Sequence, residues 1–267
     1  MTCMSRKGKT LSFFYDILLE FDIPVRDHAF TLRCIPPSFP GQEILDVTLK
    51  LDPQVPYTLQ RDGFENLLQI GRADAPHDHF RYTVLGTARL DTAARKREPV
   101  HPIFRFPSAY TQPDAAIETF LYGLSLPDEP RKLAWALAEA VREHMHYAPG
   151  TTGVGTTAAE AFRAGTGVCQ DFAHVYLTLA RLSGLHARYV NGLPEGEGAS
   201  HAWCEVSLDG IWTGIDPTRG RWVDDSYIRF CVGRDFGDCP IERGIFRGLT
   251  DQRQTVFMRV SETAAEQ

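Results

Sequence analysis

The first third of the chain carries short runs in which apolar and polar side chains alternate. These runs lie at residues 14–21, 28–35, 43–51 and 80–90, and a break is predicted at residues 24–27, between the first two. Alternation with a period of two is typical of a half-buried β-strand. Short strands at regular spacing, separated by turn residues, indicate a β-sandwich. We therefore predict an N-terminal β-sandwich domain over residues 10–95.

From residue 114 onward the apolar positions recur at three- and four-residue spacing, which predicts amphipathic helices. Asp128 is the expected N-cap of one helix, with Pro130 in its first turn. Thr157 and Glu160 have the spacing of a capping box and predict the start of another helix. A third helix is expected to begin at Cys169.

Alternating runs return in the last third of the chain. They lie at residues 187–193, 201–208, 211–216, 227–232 and 255–260. Helices followed by strands predict a second domain over residues 114–260. The proline-rich residues 91–113 are expected to connect the two domains, and the polar residues after Ser261 are expected to be disordered.

Composition and charge exclude several classes of protein. A chain of 267 residues with a net charge of −6 gives no reason to expect a nucleic-acid or anionic-membrane partner. No apolar run is long enough for a membrane span, and Asp16 interrupts the apolar stretch at 11–14 too early for a signal peptide. Six cysteines, none in C-x-x-C spacing, indicate reduced thiols, and five of them, including Cys3, are expected to be inert. We expect a cytoplasmic protein that needs no metal or other cofactor.

Cys169 stands where a glycine-rich loop changes to an amphipathic helix. A helix N-terminus presents unpaired N–H groups and a partial positive charge, and both favour the thiolate over the thiol. The thiolate is the nucleophilic form of cysteine. Cys169 is therefore the candidate nucleophile, and its own backbone N–H is a candidate donor to the oxyanion of a tetrahedral intermediate.

A predicted hairpin supplies a base and a carboxylate. Asp209 and Gly210 form a turn signal between two strand-like runs. A two-residue loop makes Asp216 the diagonal neighbour of His201, whereas a four-residue loop places the two directly opposite each other. Either loop puts the imidazole and the carboxylate on one face, because side chains alternate with a period of two. His201 would then take the proton of Cys169, and Asp216 would orient the imidazole.

Four further residues are candidates to bind the oxyanion or to support the triad: Tyr147, Gln170, Asp171 and Trp203. Tyr147 is the candidate for a second oxyanion donor. Asp171 is expected to cap the helix or to bind nearby loop backbone. Trp203 is expected in the core or in the wall of a cleft.

Two histidine pairs, at residues 77 and 79 and at residues 144 and 146, resemble metal-ligand pairs. Neither has a cysteine or a carboxylate at a ligand-like spacing, so we interpret both as structural. His174 is expected at the boundary between helix and sheet. Asp224 and Asp225 are expected to form a solvated turn without calcium.

The segments around these residues resemble the transglutaminase-like superfamily, specifically its bacterial cysteine-protease-like members that carry an N-terminal β-domain. The matching stretches lie at residues 146–152, 165–174, 187–190, 201–206, 215–218 and 233–236. Two positions depart from the usual pattern: a Phe-Gly-Asn turn appears as Phe64-Glu65-Asn66, and a usual tyrosine is Phe236. The resemblance implies an α+β fold with a papain-like core and a triad of Cys169, His201 and Asp216.

The leading functional hypothesis is a thiol-dependent amide hydrolase, a peptidase or amidase that forms a thioester with a peptide or protein substrate. A second hypothesis is an acyltransferase of the transglutaminase type, in which an amine replaces water as the attacking group. A third is a non-catalytic binding module that keeps the fold. The intact triad argues against the third, and the sequence leaves hydrolysis and acyl transfer open.

Overall fold

A computed structural model of the chain describes residues 8–263 and is built mainly from two β-sheets. Cys3 and the basic N-terminal segment 1–7 lie outside the described residues, as do residues 264–267. The strands are β1 (Lys9–Leu32), β2 (Gln42–Asp52), β3 (Tyr57–Arg61), β4 (Leu67–Ala73), β5 (His77–Leu90), β6 (His146–Tyr147), β7 (Thr166–Gly167), β8 (Ala187–Pro194), β9 (Gly196–Gly198), β10 (His201–Leu208), β11 (Ile211–Asp216), β12 (Arg221–Trp222), β13 (Tyr227–Gly233), β14 (Glu242–Arg247) and β15 (Gln252–Glu262). The helices are α1 (Ala115–Tyr122), α2 (Pro130–His144), α3 (Ala158–Ala164) and α4 (Cys169–Leu182).

The five N-terminal strands, together with β9, β14 and β15, form one connected sheet of eight strands, not the two separate sheets that a sandwich implies. The predicted break at residues 24–27 is an irregularity within β1, where Asp27 adopts a φ of 53°. Before this point β1 pairs with β5 and β15, and after it β1 pairs with β4 and β14. A bulge bends a strand without ending its hydrogen bonding, so a polar interruption in the sequence does not separate two strands here.

The C-terminal strands differ from the predicted division of the chain. β14 and β15 lie within the predicted core at 114–260, yet both pair with β1 of the N-terminal sheet. β15 continues to Glu262, and the N–H of Thr263 donates to the carbonyl of Thr10 at 2.9 Å, so order extends past Ser261. Alternation predicts a strand at 255–260 but does not specify its partner, because pairing depends on the register of distant segments.

The second sheet has the order β12-β11-β10-β8-β13, with α4 packed on one face. The thiol of Cys204 in β10 points to α4 and lies 3.5 Å from the carbonyl of Ala173. α3 carries the predicted capping box of Thr157 and Glu160. α2 is capped by Glu129, not Asp128, because the Glu129 carboxylate accepts the N–H of Arg131 at 3.0 Å.

Asn66 fastens the N-terminal sheet to the second sheet. It is 2% exposed, and its amide exchanges two hydrogen bonds with the backbone of Val232 in β13, at 2.7 and 2.8 Å. The preceding residue, Glu65, has a φ of 64°, a left-handed conformation that glycine adopts at lower cost. Asn66 thus takes the place of a strand neighbour at the β13 edge of the second sheet.

Candidate active site

Cys169 is the first residue of α4, and Val168 is the N-cap. The carboxylate of Asp171 accepts the N–H of Val168 at 2.7 Å and so closes the first turn, in agreement with its predicted capping role. A Cβ added at Gly167 would lie 2.6 Å from the Asp171 side chain, so the loop before Cys169 needs a glycine. Cys169 is partly exposed, whereas the other four cysteines among residues 8–263 are buried. It is therefore the described thiol that a substrate can reach.

The hairpin of β10 and β11 has the register of the two-residue loop. Leu208 pairs with Ile211, and the loop residues Asp209 and Gly210 have φ values of 52° and 80°. Positive φ at both positions is the conformation of a type I′ turn, whose twist matches that of the strands. This register brings His201, at the start of β10, to Asp216, at the end of β11. The distance from Nε2 of His201 to Oδ2 of Asp216 is 2.7 Å.

Asp216 is fully buried and its carboxylate is held on both oxygens. Oδ1 accepts the backbone N–H groups of Thr218 and Arg219, each at 3.0 Å. Oδ2 accepts the hydroxyl of Tyr227 at 3.0 Å in addition to the imidazole of His201. Burial alone would raise the pKa of Asp216, but these hydrogen bonds and the charge of His201 outweigh it and leave the pKa lowered. The carboxylate therefore stays ionised and fixed in orientation.

The His201 ring lies between Asp216 and the thiol of Cys169. Burial lowers the pKa of His201. The hydrogen bonds and charges of Asp216 and Cys169 together raise it by more, so the pKa increases to about 9. Because Asp216 engages Nε2, Nδ1 is the ring nitrogen left for Cys169. The indole ring of Trp203 stacks on the imidazole of His201, with 6.4 Å between the ring centroids. The imidazole is thus confined in position and favoured in its charged form at neutral pH.

The remaining candidates occupy different places around the triad. Tyr147 is 58% exposed, and burial together with the charge of the nearby Cys169 raises the pKa of its hydroxyl. The side-chain amide of Gln170 donates to the carbonyl of Val154 at 3.1 Å. Asp171 is occupied as the helix cap, and Trp203 is 1% exposed behind the imidazole. Of the four, Tyr147 is the residue whose hydrogen-bonding group faces the solvent near the thiol.

Sequence reasoning missed Tyr227, the second side chain bound to Asp216. It lies on β13, which is separated from β11 in the sheet by β10 and β8, so no local spacing relates it to Asp216. The backbone donors at Thr218 and Arg219 have a local signal, since an aspartate often binds the backbone two residues later in an Asx turn.

The histidine pairs have structural partners. Nε2 of His77 lies 3.2 Å from Nδ1 of the buried His28, and His144 bonds the carbonyl of Phe162 at 2.8 Å. His174 is buried on α4 and accepts the N–H of Phe236 at 3.1 Å. Within residues 8–263, no group of three or more His, Cys, Asp or Glu side chains has an arrangement suited to a metal ion. Asp225 is not only a solvated turn residue, because it accepts the N–H of Thr92 at 2.7 Å.

Sequence models of known protein families match both halves of the chain. The sequence model of the Transglutaminase-like superfamily matches residues 122–217, which include all three triad candidates. The Bacterial transglutaminase-like N-terminal region matches residues 14–89. The chain belongs to the transglutaminase-like superfamily.

Curated relatives of this superfamily member include mycobacterial proteins described as uncharacterized. One from Mycobacterium leprae is 38% identical over 157 residues, which are 54% of this chain and 56% of that protein. One from Mycobacterium tuberculosis is 37% identical over 125 residues, which are 41% of this chain and 40% of that protein. The chain thus matches about half the length of these relatives.

The transglutaminase-like fold extends over nearly the whole chain. A crystal structure from Cytophaga hutchinsonii, described as a putative cysteine protease, superposes with a TM-score of 0.79 at 19% identity. The superposition covers 97% of this chain and 92% of that protein, so the long β1 and the returning β15 fall within the shared fold. Among residues 8–263, no helix has the length and apolar character needed to cross a membrane.

Proposed function

We propose that the chain is a thiol-dependent amide hydrolase in which Cys169, His201 and Asp216 form a catalytic triad. The observation that supports this most strongly is the position of the His201 ring, held at 2.7 Å by the buried Asp216, with Cys169 close enough to raise the pKa of the imidazole. Cys169 is also the first residue of α4, where the helix dipole favours a negatively charged sulfur. A nucleophile, a base and a group that orients the base are the three parts that covalent acyl chemistry requires.

In the proposed acylation step, the thiolate of Cys169 attacks the carbonyl carbon of a peptide or protein amide. The new C–S bond forms as the carbonyl electrons move to oxygen. When the tetrahedral intermediate collapses, the C–N bond breaks and the imidazolium of His201 donates its proton to the leaving nitrogen. An amine departs, and the acyl group remains on Cys169 as a thioester.

In the proposed deacylation step, neutral His201 takes a proton from water while the water oxygen attacks the thioester carbon. The C–S bond then breaks, the carboxylic acid leaves, and the thiolate–imidazolium pair is restored. Asp216 remains ionised in both steps and stabilises the imidazolium each time it forms. If an amine took the place of water, the same residues would produce a new amide, which is the acyltransferase alternative.

Two donors are proposed for the oxyanion. The first is the backbone N–H of Cys169, which has no carbonyl partner four residues earlier in the helix because it opens α4. The second is the hydroxyl of Tyr147, whose strand β6 pairs in parallel with β7 directly before the nucleophile. Gln170 is not proposed, since Val154 already occupies its amide group.

The first experiment asks whether a thioester forms on Cys169. Protein in a Cys3→Ala background is mixed with a p-nitrophenyl ester, quenched in acid, and mapped by peptide mass spectrometry. We expect acyl label on Cys169 and on none of the four buried cysteines. Cys169→Ala should abolish the label, and His201→Ala should slow its formation. A folded protein that acquires no label at Cys169 contradicts the proposal and favours a binding module.

The second experiment separates hydrolysis from acyl transfer. Denatured casein serves as a generic amide substrate, and new N-termini report peptide-bond cleavage whereas ammonia reports side-chain amide hydrolysis. Added methylamine should leave the rate and the products unchanged if water is the acceptor. Incorporation of methylamine in preference to hydrolysis would replace the hydrolase proposal by the acyltransferase one. The Cys169→Ala variant is the control for a contaminating protease.

A further inference from the structure

A second concave site lies on the same face of the second sheet as the His201–Asp216 pair. His201, Trp203 and Glu205 are every second residue of β10, so their side chains point to the same face of the sheet. Glu205 follows His201 by four positions, a distance of about 13 Å along a strand. The buried Trp203 fills the space between them. A cavity of about 230 Å³ lies at Glu205, distinct from the triad.

Three arginines converge on Glu205, which is itself completely buried. Arg188, its cross-strand neighbour on β8, contacts Oε2 at 2.7 and 2.8 Å. Arg229 from β13 reaches the same oxygen at 3.3 Å. Arg95, from the connection between the two sheets, lies 3.2 Å from Oε1. A single carboxylate therefore faces three guanidinium groups.

Positive charge exceeds negative charge in this cavity. Its lining carries five cationic side chains (Arg95, Lys96, Arg97, Arg188 and Arg229) and two carboxylates (Glu98 and Glu205), an excess of three positive charges. Neither Lys96 nor Arg97 forms an ion pair with any residue between 8 and 263. Burial and the neighbouring arginines lower the pKa of Arg229 to about 9, although Glu205 opposes this effect. Such an excess of charge near buried guanidinium groups is costly unless an anion joins them.

The guanidinium groups are also held in place and have free donors. Arg188 lies over the ring of Trp212 at 4.1 Å, and Arg229 lies over the ring of Phe39 at 3.4 Å. Stacking fixes the plane of each guanidinium group and so the direction of its N–H donors. Within the described part of the chain, three buried atoms of this cluster have no hydrogen-bond partner: Nε of Arg95, Nε of Arg229 and Oε1 of Glu205. Ordered guanidinium groups that line an open cavity, and that share a single buried carboxylate, are what a bound oxyanion would complement.

We propose that this cavity is a binding site for a phosphate group, either free phosphate or the phosphate of a small phosphate monoester. Phosphate presents several oxygens to planar guanidinium forks and accepts paired hydrogen bonds from them. A dianion also neutralises more of the threefold charge excess than a single carboxylate does. One arginine would neutralise the charge of Glu205, whereas three arginines meet here and two further cations, Lys96 and Arg97, line the same cavity.

The test is a calorimetric titration of the full chain at pH 7.5 and constant ionic strength, with sodium chloride as the balancing salt. The probes are inorganic phosphate, glycerol 3-phosphate and succinate. We expect saturable binding of at least one phosphate probe with a Kd of about 1 mM or below, and binding of succinate at least about tenfold weaker. Tighter binding of glycerol 3-phosphate than of phosphate identifies a monoester as the ligand, and the reverse identifies free phosphate. Absence of saturable phosphate binding, or tighter binding of succinate, overturns the proposal.

The decisive variant is Glu205→Gln/Arg229→Gln, which removes one charge of each sign from the cluster; Arg188 keeps the Glu98 carboxylate at 3.5 Å, and Arg95 loses its carboxylate partner. The net charge of the cavity is unchanged, so a weakening of at least about tenfold reports the guanidinium fork and not the long-range field. Circular dichroism and thermal unfolding verify the fold. If the folded variant binds phosphate within about twofold of wild type, the cluster is structural and the proposal is wrong.

A second pair of variants keeps the test valid if the buried change prevents folding. Lys96→Gln/Arg97→Gln alters two exposed residues at the cavity entrance. Arg89→Gln/Arg253→Gln removes the same charge from exposed side chains elsewhere. We expect at least about threefold weaker phosphate binding for the first variant and less than about twofold for the second. Equal effects would show a general charge response and would overturn a localised site.

Discussion

Replacement of Asp216 by asparagine tests the orientation of His201 without changing the shape of the side chain. The two backbone donors at Thr218 and Arg219, each at 3.0 Å, require an oxygen at the Oδ1 position. The asparagine oxygen must therefore occupy that position, and its NH₂ group then faces His201. A donor at this place makes Nε2 the acceptor and moves the imidazole proton to Nδ1. The nitrogen next to Cys169 would then carry a proton and be unable to take one from the thiol.

The size of the effect follows from the charge of the imidazole. With a pKa of about 9, His201 is protonated in about 97% of molecules at pH 7.5. Without the Asp216 carboxylate, its hydrogen bond and its charge no longer raise the pKa of His201, so burial lowers that pKa from about 9. The protonated fraction of His201 at pH 7.5 then falls. Loss of the charge and of the base tautomer is expected to reduce kcat/KM by about 10²- to 10⁴-fold, and Cys169→Ala is expected to abolish turnover.

Iodoacetamide labelling of Cys169 as a function of pH measures this directly, together with turnover of a p-nitrophenyl ester. In the wild-type protein we expect rapid labelling already at pH 6, because the imidazolium stabilises the thiolate. In Asp216→Asn we expect labelling at pH 6 to be at least about tenfold slower and to rise with pH.

Asp235→Asn is a matched control for this variant. Asp235 is 3% exposed and accepts the backbone N–H groups of Gly237 and Tyr110 at 2.8 and 3.1 Å, but it forms no hydrogen bond with His201. We expect this control to lower the melting temperature and to keep the wild-type labelling profile. If folded Asp216→Asn labels like wild type and turns over within about twofold of it, Asp216 is a structural turn residue and the triad reasoning fails.

Three further predictions follow from the same site. Tyr227→Phe removes one of the donors to Oδ2 of Asp216, at 3.0 Å, and should lower kcat/KM about fivefold at pH 7.5 with an unchanged circular dichroism spectrum; an unaltered rate would show that His201 alone suffices to hold the carboxylate. The pKa of His201 is raised on folding from 6.5 to about 9, which corresponds to about 3 kcal/mol in the free energy of unfolding. This stabilisation is complete below pH 6.5 and is lost as the pH rises to 9. Urea unfolding across this window should show the decline in wild type and a smaller one in His201→Gln, and parallel curves would contradict it. After extensive dialysis against EDTA, Cys169 labelling and turnover should stay within about twofold of their values in the undialysed protein. A loss that one divalent cation restores would show a metal requirement.

Local pattern predicts much of the second half of the chain. The alternation at 201–208 and 211–216 matches β10 and β11 at both ends, and Asp209-Gly210 is the loop between them. This is a strong inference because side chains alternate with a period of two, so the loop length alone decides whether His201 and Asp216 share a face. The capping box at Thr157 is equally local, since donors and acceptors lie three residues apart. The start of α4 at Cys169 is likewise predicted from local sequence.

The partners of the strands, and the groups that come together from distant segments, were decided by the tertiary structure. β15 pairs with β1 although more than two hundred residues separate them, and no periodicity in either strand identifies the other. Tyr227 reaches Asp216, and Arg95, Arg188 and Arg229 converge on Glu205, because the sheet order brings β13, β8 and the connection together. The contact of Cys169 with His201 depends likewise on how α4 packs against the sheet. Alternation and capping act over a few residues and so can be read locally, whereas packing reflects the complementarity of whole surfaces and becomes visible only in the folded chain.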